Sequence, residues 1–407
     1  MRLSRPVSFL VAVNSHKNTP WPLLALLMAT TAIGPATLNM LLPALPQLVV
    51  LLAAETSTVQ LTLSLYLLSL ATAQLLLGPL SDRFGRRPVL LAGLALNVGA
   101  SVAAIAANSI VMLIGARMLQ AVGASAGIVI GRAIIRDLFE RERSAAMLGL
   151  VTTAMVVAPM VSPGIGGLLV TSFGWEAIFI CIAILSGVVL LWAMVVLPET
   201  HPPGDVVDAR ALLKEWCELL RHRKFYGFVL SGALASAPFF TVIGGGPHVV
   251  VNLMHRSPTE YGLWFALGSI GYMAGNFTVS RLSERLGVEA LIAAGALIEI
   301  VGAAISLLFV VYAWGLGPFV IFGPQLIISY GNGLVLPSAI AGAVSIRPQA
   351  AGSASGLLGF TQMALGAAAT QIVPFALAGA ETALPMAWIV LAVTVACGAA
   401  YVAGVRK

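Results

Sequence analysis

Charge is what this chain lacks most. Only 9% of its 407 residues are charged, against about 25% in ordinary soluble domains, and just 16 are acids. So thin a charged complement excludes a soluble globular protein. Cysteine is scarce too: Cys181, Cys217 and Cys397 stand alone with no Cys-x-x-Cys pair, which argues against a disulfide framework and a cysteine metal site. The five histidines form no His-Glu-x-x-His, no Gly-x-Ser-x-Gly occurs, and no two carboxylates lie well inside one apolar segment. A membrane-embedded enzyme is therefore disfavoured, no metal or cofactor is expected, and the absence of Gly-x-x-x-x-Gly-Lys-[Ser/Thr] argues against ATP drive.

Apolar length is abundant instead. Hydrophobic residues make up 59% of the chain and the mean hydropathy is +0.98. A crossing needs about 20 mostly apolar residues, and Gly or Pro is tolerated where neighbouring helices satisfy the freed backbone groups. With polar punctuation as boundaries, twelve spans are predicted, at 21–45, 58–79, 88–107, 110–130, 144–171, 176–197, 225–251, 260–279, 289–311, 316–338, 351–375 and 384–404. Alternate connections are basic: Arg83, Arg86 and Arg87 in one, Arg132 to Arg143 around the next, Arg210 to Lys224 in the long central segment, then Arg281, Arg285 and Arg347. With both termini on that side, 20 of the 22 Lys and Arg lie there; only Arg256 lies opposite, and Arg117 falls within a span. This bias predicts a multi-pass protein with both ends cytoplasmic. The net charge of +6 is then topology and contact with anionic lipid, and no nucleic-acid partner is needed. Residues 1–19 have a basic start but only a short apolar stretch, so a cytoplasmic tail is expected, not a signal peptide.

One stretch concentrates charge in a tight turn, "GPLSDRFGRRP" at 78–88. It has an echo: "LSDRFGRRPVL" at 80–90 aligns without gaps to "LSERLGVEALI" at 282–292, nearly half the chain away. A weak repeat of this kind fits a carrier built from two six-helix halves, with a substrate site between them near the midplane. The expected domains are a tail at 1–19, a bundle at 20–197, a cytoplasmic linker at 198–224 and a second bundle at 225–407. Gly78 and Gly85 are expected to permit close packing or positive φ, Asp82 to accept from a helix start or pair with arginine, and Arg83, Arg86 and Arg87 to bridge helix ends or lipid phosphate. Such a cluster can hold one conformation and release it in another.

At these residues the sequence resembles the major facilitator superfamily, whose signature Gly-x-x-x-Asp-Arg-x-Gly-Arg-Arg stands complete at Gly78, Asp82, Arg83, Gly85, Arg86 and Arg87. The stretches "LPALPQL" (42–48), "STVQLTLSLYLL" (57–68), "RAIIRDLF" (132–139), "GWEAIF" (174–179) and "AGSASGLLGFTQ" (351–362) resemble its bicyclomycin and chloramphenicol resistance branch of twelve-span drug:proton antiporters. The resemblance implies an all-α membrane fold of two pseudo-symmetric six-helix bundles. It also implies a bacterial inner-membrane location, a proton gradient as energy source, and a monomer exporting small drug-like molecules. In the fourth span "RMLQAVGAS" resembles the family motif whose arginine is linked to proton movement, which marks Arg117, Gln120 and Gly123. In the fifth, "APMVSPGIGG" resembles the antiporter motif Gly-Pro-x-x-Gly-Gly, with Ser162 in place of the first glycine and Pro163, Gly166 and Gly167 retained as a tight gating joint.

One departure bears on mechanism. Where the branch has an acid in the first span, this chain reads "NMLLPALP", with Asn39 in the acid's position. Asparagine cannot titrate. The proton-pathway candidates left are Glu299, the one carboxylate well inside a predicted span, and His248, near the outer end of the seventh; Glu299 competes with a packing or lipid-depth role. Asp137 and Glu140 are expected to pair with Arg136, Arg141 or Arg143. A pocket holding Arg117 without a nearby acid disfavours cations and favours neutral or anionic amphiphiles. Its candidate polar groups are Asn39, Gln74, Arg117, Gln120, Tyr272, Asn332 and Gln362, with aromatic surface from Tyr66, Phe239, Phe240 and Tyr330. The competing reading is an uncoupled or differently coupled carrier of an endogenous metabolite.

Overall fold

The computed structural model describes residues 21–139, 141–201, 209–347 and 350–406. The first span is α1 (Trp21–Met40), a short 3-10 turn (Leu42–Ala44) and α2 (Leu45–Leu51). Pro43 and Pro46 sit in the first turns of the last two pieces, where a missing N–H costs nothing, so the chain breaks and restarts without leaving the membrane. The first half continues with α3 (Thr56–Phe84), α4 (Arg86–Ile105), α5 (Ile110–Leu138), α6 (Arg141–Phe173) and α7 (Glu176–Val196). A short helix, α8 (Ala209–Leu219), follows. The second half is α9 (Arg223–Pro247), α10 (Pro258–Tyr312), α11 (Phe319–Ile346), α12 (Ala351–Leu377) and α13 (Leu384–Tyr401).

Eleven helical stretches among the described residues are long and apolar enough to cross a bilayer. One of them, α10, has 55 residues and would extend about 80 Å if straight, more than twice a hydrocarbon core of about 30 Å. Its backbone breaks at Gly287 (φ 77°, ψ 161°), which separates it into two crossings and brings the number to twelve. Gly85, between α3 and α4, has nearly the same conformation (φ 96°, ψ 153°). The two residues occupy equivalent places in the aligned stretches, so the repeat seen in the sequence is also a repeat of backbone geometry. Positive φ is the reason both are glycine.

Within the first half α5 packs on α3 and α4, α1 on α6, and α4 on α7; within the second, α9 packs on α11, α12 and α13, and α10 on α11 and α13. Across the halves, α6 meets α10 and α3 meets α12. The stretch read as a linker contains α8, which the sequence reading did not foresee. This helix is fixed to the second half: Arg347, just past α11, pairs with Glu218, and Ser353 Oγ of α12 donates to Glu215 Oε2 at 2.5 Å. The Arg347 guanidinium holds the Glu218 carboxyl below the usual carboxylate range. The expected tail at 1–19 lies outside the described residues.

Candidate transport site

The charged turn after α3 is a closed network. Arg86 is largely buried and pairs with Asp82 one turn away and, through Nε at 3.0 Å, with Asp137 Oδ2 near the end of α5. The acid that caps the start of α4 is not Asp82 but Glu199: its Oε1 accepts from Arg86 N at 2.9 Å and its Oε2 from Arg87 N at 3.2 Å. Two orphan donors and the positive end of the helix are thereby satisfied. Arg87 Nη2 donates to Met194 O at 2.8 Å near the end of α7, and Arg83 lies over the Phe84 ring. Two expectations change. Asp137 pairs with Arg86, not with Arg136; Glu140 and the side chains of Arg141 and Arg143 lie outside the described residues. Gly78 is helical, and among the described residues the one near neighbour of a Cβ there, Val129 at 3.9 Å, would be in ordinary contact, so it is neither a close approach nor a left-handed residue.

In the first half Arg117 is fully buried, about 10 Å along α5 from its N-terminus. Its Cζ lies 4.3 Å from the centroid of the Tyr66 ring, a cation–π contact, and Tyr66 OH donates to Gly34 O at 3.0 Å. Nη1 donates to Thr37 O and to Gln120 Oε1, both at 3.0 Å. A second tier holds Gln120: its Nε2 donates to Ser101 Oγ at 2.7 Å, Asn97 Nδ2 donates to Gln120 O at 3.0 Å, and Ser186 Oγ donates to Asn97 Oδ1 at 2.9 Å. Arg117 Nε and Nη2 have no hydrogen-bond partner, and no acid pairs with Arg117 among the described residues. Asn39, also buried, donates to Pro35 O at 2.8 Å and leaves its Oδ1 unpartnered. The first half therefore holds an uncompensated cation with spare donors, close to backbone two residues from Asn39.

The second half contributes a different group. Gln362 Nε2 donates to Ser236 Oγ at 2.9 Å, and Ser236 Oγ donates to Asn332 Oδ1 at 3.4 Å. All three residues stand near the middles of their helices, α12, α9 and α11. Gln74 is half-buried on α3 with Oε1 beside Gly359 of α12, between the halves. Tyr272 is not part of this group; it packs its backbone on Gly333 of α11, and Tyr330 Oη shares a hydrogen bond with Thr278 Oγ1 at the same seam. Phe239 and Phe240 meet edge to face, and the cluster continues through Phe265, Tyr261 and Phe322. Arg117 with Gln120 and Asn332 with Gln362 thus form two groups, one per half, while Gln74 and Tyr272 belong to neither.

At the end opposite the arginine-rich turns the halves are sealed to each other. Gln60 Nε2 donates to Gly244 O at 3.1 Å, Ser64 Oγ to Gln371 Oε1 at 3.0 Å, and Gln371 Nε2 to Ser57 O at 3.0 Å. None of these side chains was singled out from sequence, although glutamine in an apolar helix is a signal of a buried partner. The Pro163 segment joins the same seal through Gly167, where a Cβ would fall 2.7 Å from Thr259 Cα of α10; Gly166 instead packs within the first half, against Met40 O of α1. His248 lies beyond this seal, in a cleft of about 400 Å³ between the halves, and shares a hydrogen bond with Asn252 at 3.3 Å.

Glu299 stands apart from both groups. It is fully buried in the second crossing of α10 and does not face lipid; its Cγ lies against Gly331 of α11, and Cys397 of α13 is within electrostatic reach. Neither carboxyl oxygen has a hydrogen-bond partner.

Comparison with known proteins agrees with this architecture. The family model described as Major Facilitator Superfamily matches residues 27–371. The chain is 31% identical to the uncharacterized MFS-type transporter YdgK of Bacillus subtilis, over 94% of this chain and 95% of that one. It is 32% identical to a chloramphenicol resistance protein of Pseudomonas aeruginosa, over 77% and 72%, and 26% identical to a bicyclomycin resistance protein homolog of Haemophilus influenzae, over 86% and 88%. Among solved structures, a D-xylose–proton symporter superposes with a TM-score of 0.76 at 14% identity, covering 94% of this chain and 97% of that one. At that identity the likeness speaks for fold alone. Two six-helix halves, the complete charged signature and the family match lead to one conclusion: the chain belongs to the major facilitator superfamily of membrane transporters.

Proposed function

We propose that this protein exports neutral or anionic amphipathic antimicrobials, of the chloramphenicol or bicyclomycin kind, by alternating access coupled to the proton gradient. The observation that carries this reading is Arg117, a buried guanidinium with two N–H donors unpartnered and no counter-acid among the described residues. A cationic substrate would meet repulsion in a low-dielectric site, whereas a carbonyl, nitro or carboxylate oxygen would satisfy donors that now lack partners. The relatives named for resistance to such compounds support the substrate class. In this reading the protein resides in the bacterial inner membrane as a monomer, with the arginine-rich end and both termini cytoplasmic. The seal between the halves is then external, and the conformation faces inward. The Arg86 network and the Pro163 segment act as gates.

The test is accumulation of labelled chloramphenicol in cells expressing the protein, with and without a protonophore. Lower accumulation that the protonophore restores is the expected result; unchanged accumulation across a panel of neutral and anionic drugs refutes it. Asn39 favours a second reading, an uncoupled carrier of a metabolite, because it removes the acid that the branch uses in the first span. That reading requires transport in vesicles to be indifferent to an imposed pH gradient.

A further inference from the structure

Among the described residues, two fully buried side chains of the membrane interior that carry a charge when ionised near neutral pH have polar atoms without a partner, one in each half. The first is Arg117. The second is Glu299, fully buried, both oxygens without a partner among the described residues, twelve residues from the break in α10 and thirteen from its end, hence near the midplane. A carboxylate anion at that depth, with no donor and no cation, is among the costliest arrangements a protein can hold, and an acid kept there is a functional candidate by default.

Its surroundings tie it to the polar group facing the other half. Glu299 sits on a seam of small residues: Gly295 and Gly302 flank it on its own helix, and Gly331 of α11 takes its Cγ where a Cβ would stand 2.7 Å away. The next residue along α11 is Asn332, which accepts from Ser236 and through it joins Gln362. Cys397 of α13 is the titratable group that bears on it, and Cys397 Sγ donates to Ser231 O of α9 at 3.4 Å. From α11 the nearby groups are the neutral Gly331 and Asn332; Ser231 of α9, which accepts from Cys397, is neutral too, and its Oγ lacks a partner among the described residues. The basic residues of α10, Arg281 and Arg285, lie beyond the Gly287 break, more than three turns away along the chain.

Resting on the proton-coupled reading above, we propose that Glu299 takes up and releases the coupling proton, in place of the first-span acid that Asn39 replaces. Loading adds H⁺ to one carboxylate oxygen and leaves a neutral acid, which the close seam of α10 against α11 accommodates. Release leaves an anion that must gain water or a donor, so the seam has to open. Because Gly331 and Asn332 are consecutive, movement at the seam reaches the Asn332–Ser236–Gln362 group, and proton binding and substrate binding become linked through α11. Glu299 touches no residue of the Arg117 group, so substrate exchange and proton coupling are separable by mutation.

The experiment uses purified full-length protein in proteoliposomes and compares wild type, Glu299→Gln and Glu299→Asp. Gln retains shape and neutrality, so the protein is expected to fold. In Glu299→Gln, counterflow exchange of labelled chloramphenicol without a gradient should stay within about twofold of wild type, while accumulation driven by a pH gradient should fall about tenfold or more, the scale of ordinary site-to-site coupling. Glu299→Asp should restore part of it. A second arm needs no drug: infrared difference spectra on stepping the pH should show a buried-carboxyl band in wild type that Glu299→Gln lacks. Gradient-driven accumulation by Glu299→Gln equal to wild type overturns the assignment. So does a carboxyl band that is absent from wild type or survives the mutation. If wild type neither exchanges nor accumulates any drug tried, the export reading fails by itself, and the infrared arm still decides whether Glu299 titrates.

Discussion

Gly262 lies at the contact between the halves, and adding one methyl group there should move the conformational equilibrium by a calculable amount. A Cβ on Gly262 would stand 2.5 Å from Pro163 O and 2.6 Å from Gly164 N, about 1 Å inside ordinary contact, and both atoms are backbone that cannot rotate away. Overpacking of this kind costs about 1–3 kcal/mol. The cost is confined to the state in which α6 and α10 touch, because Gly262 belongs to one half and Pro163 to the other. Taking about 2 kcal/mol, Gly262→Ala should shift the ratio of sealed to open at that end by roughly 30-fold toward open. Spin labels on residues 55 and 381, exposed loop positions at that end on opposite halves, would report the shift as a longer distance, after replacement of the three native cysteines. Gly271→Ala is the control: its Cβ would stand 2.2 Å from Leu326 O within the same half, so it should lower thermal stability without favouring either state. If Gly262→Ala leaves the distance distribution unchanged, the seal is not a state-dependent contact and the reasoning fails.

Other predictions are more local. Arg117→Ala should abolish drug transport with the protein still folded, and Arg117→Lys should restore little, because an ammonium cannot both stack on Tyr66 and fork to Thr37 O and Gln120; normal transport by either variant removes Arg117 from the site. Glu199→Ala should cost about 1 kcal/mol of stability by uncapping α4, a loss measurable as a lower melting temperature in detergent that Glu199→Asp partly recovers. The Glu218–Arg347 pair should make the docking of α8 sensitive to pH. The carboxyl is held below its ordinary value of about 4.3, so its contribution is present above that value and lost as pH falls through the lowered one. Hydrogen exchange in α8 should therefore rise only in acid for wild type, and already at neutral pH for Glu218→Gln; equal exchange in both proteins at neutral pH would refute the role of the pair.

The spans and the repeat were legible because both depend on local pattern. Twenty apolar residues make a crossing whatever surrounds them, and the glycine of the turn is fixed by a backbone angle that other residues avoid. Two local features were missed for identifiable reasons. α8 was submerged in a segment judged by its charge and prolines, although Leu212, Leu213, Trp216 and Leu219 recur at helical spacing. The first span was ended at residue 45, whereas a new helix starts at Leu45 and runs on to Leu51. Of the site, single polar side chains such as Arg117, Gln120, Asn332 and Gln362 were legible, but not how they group. Long-range pairing was not legible: besides Asp82 one turn away, Arg86 reaches Asp137, 51 residues on, and its backbone N–H donates to Glu199, 113 residues on, and nothing in local sequence ranks Asp137 as a partner for Arg86 above the neighbouring arginines. The separation of Arg117 from the Asn332–Ser236–Gln362 group likewise follows from which face each helix turns inward.

The two positive-φ glycines carry a mechanical consequence. Around Gly85 the elbow is braced by Glu199, Asp82, Asp137 and Met194, so force applied to α3 passes directly into α4, α5 and α7. Around Gly287 the same bend has nothing within 4 Å of a would-be Cβ among the described residues, and the nearby Lys224–Glu289 pair is half exposed at 3.5 Å, too screened to stiffen it. One half therefore turns as a lever of nearly fixed shape, while the other carries a compliant joint at the equivalent position. A duplicated bundle has kept the bend that geometry demands in both copies and the bracing in one, so a load shared between the halves is relieved at Gly287 first.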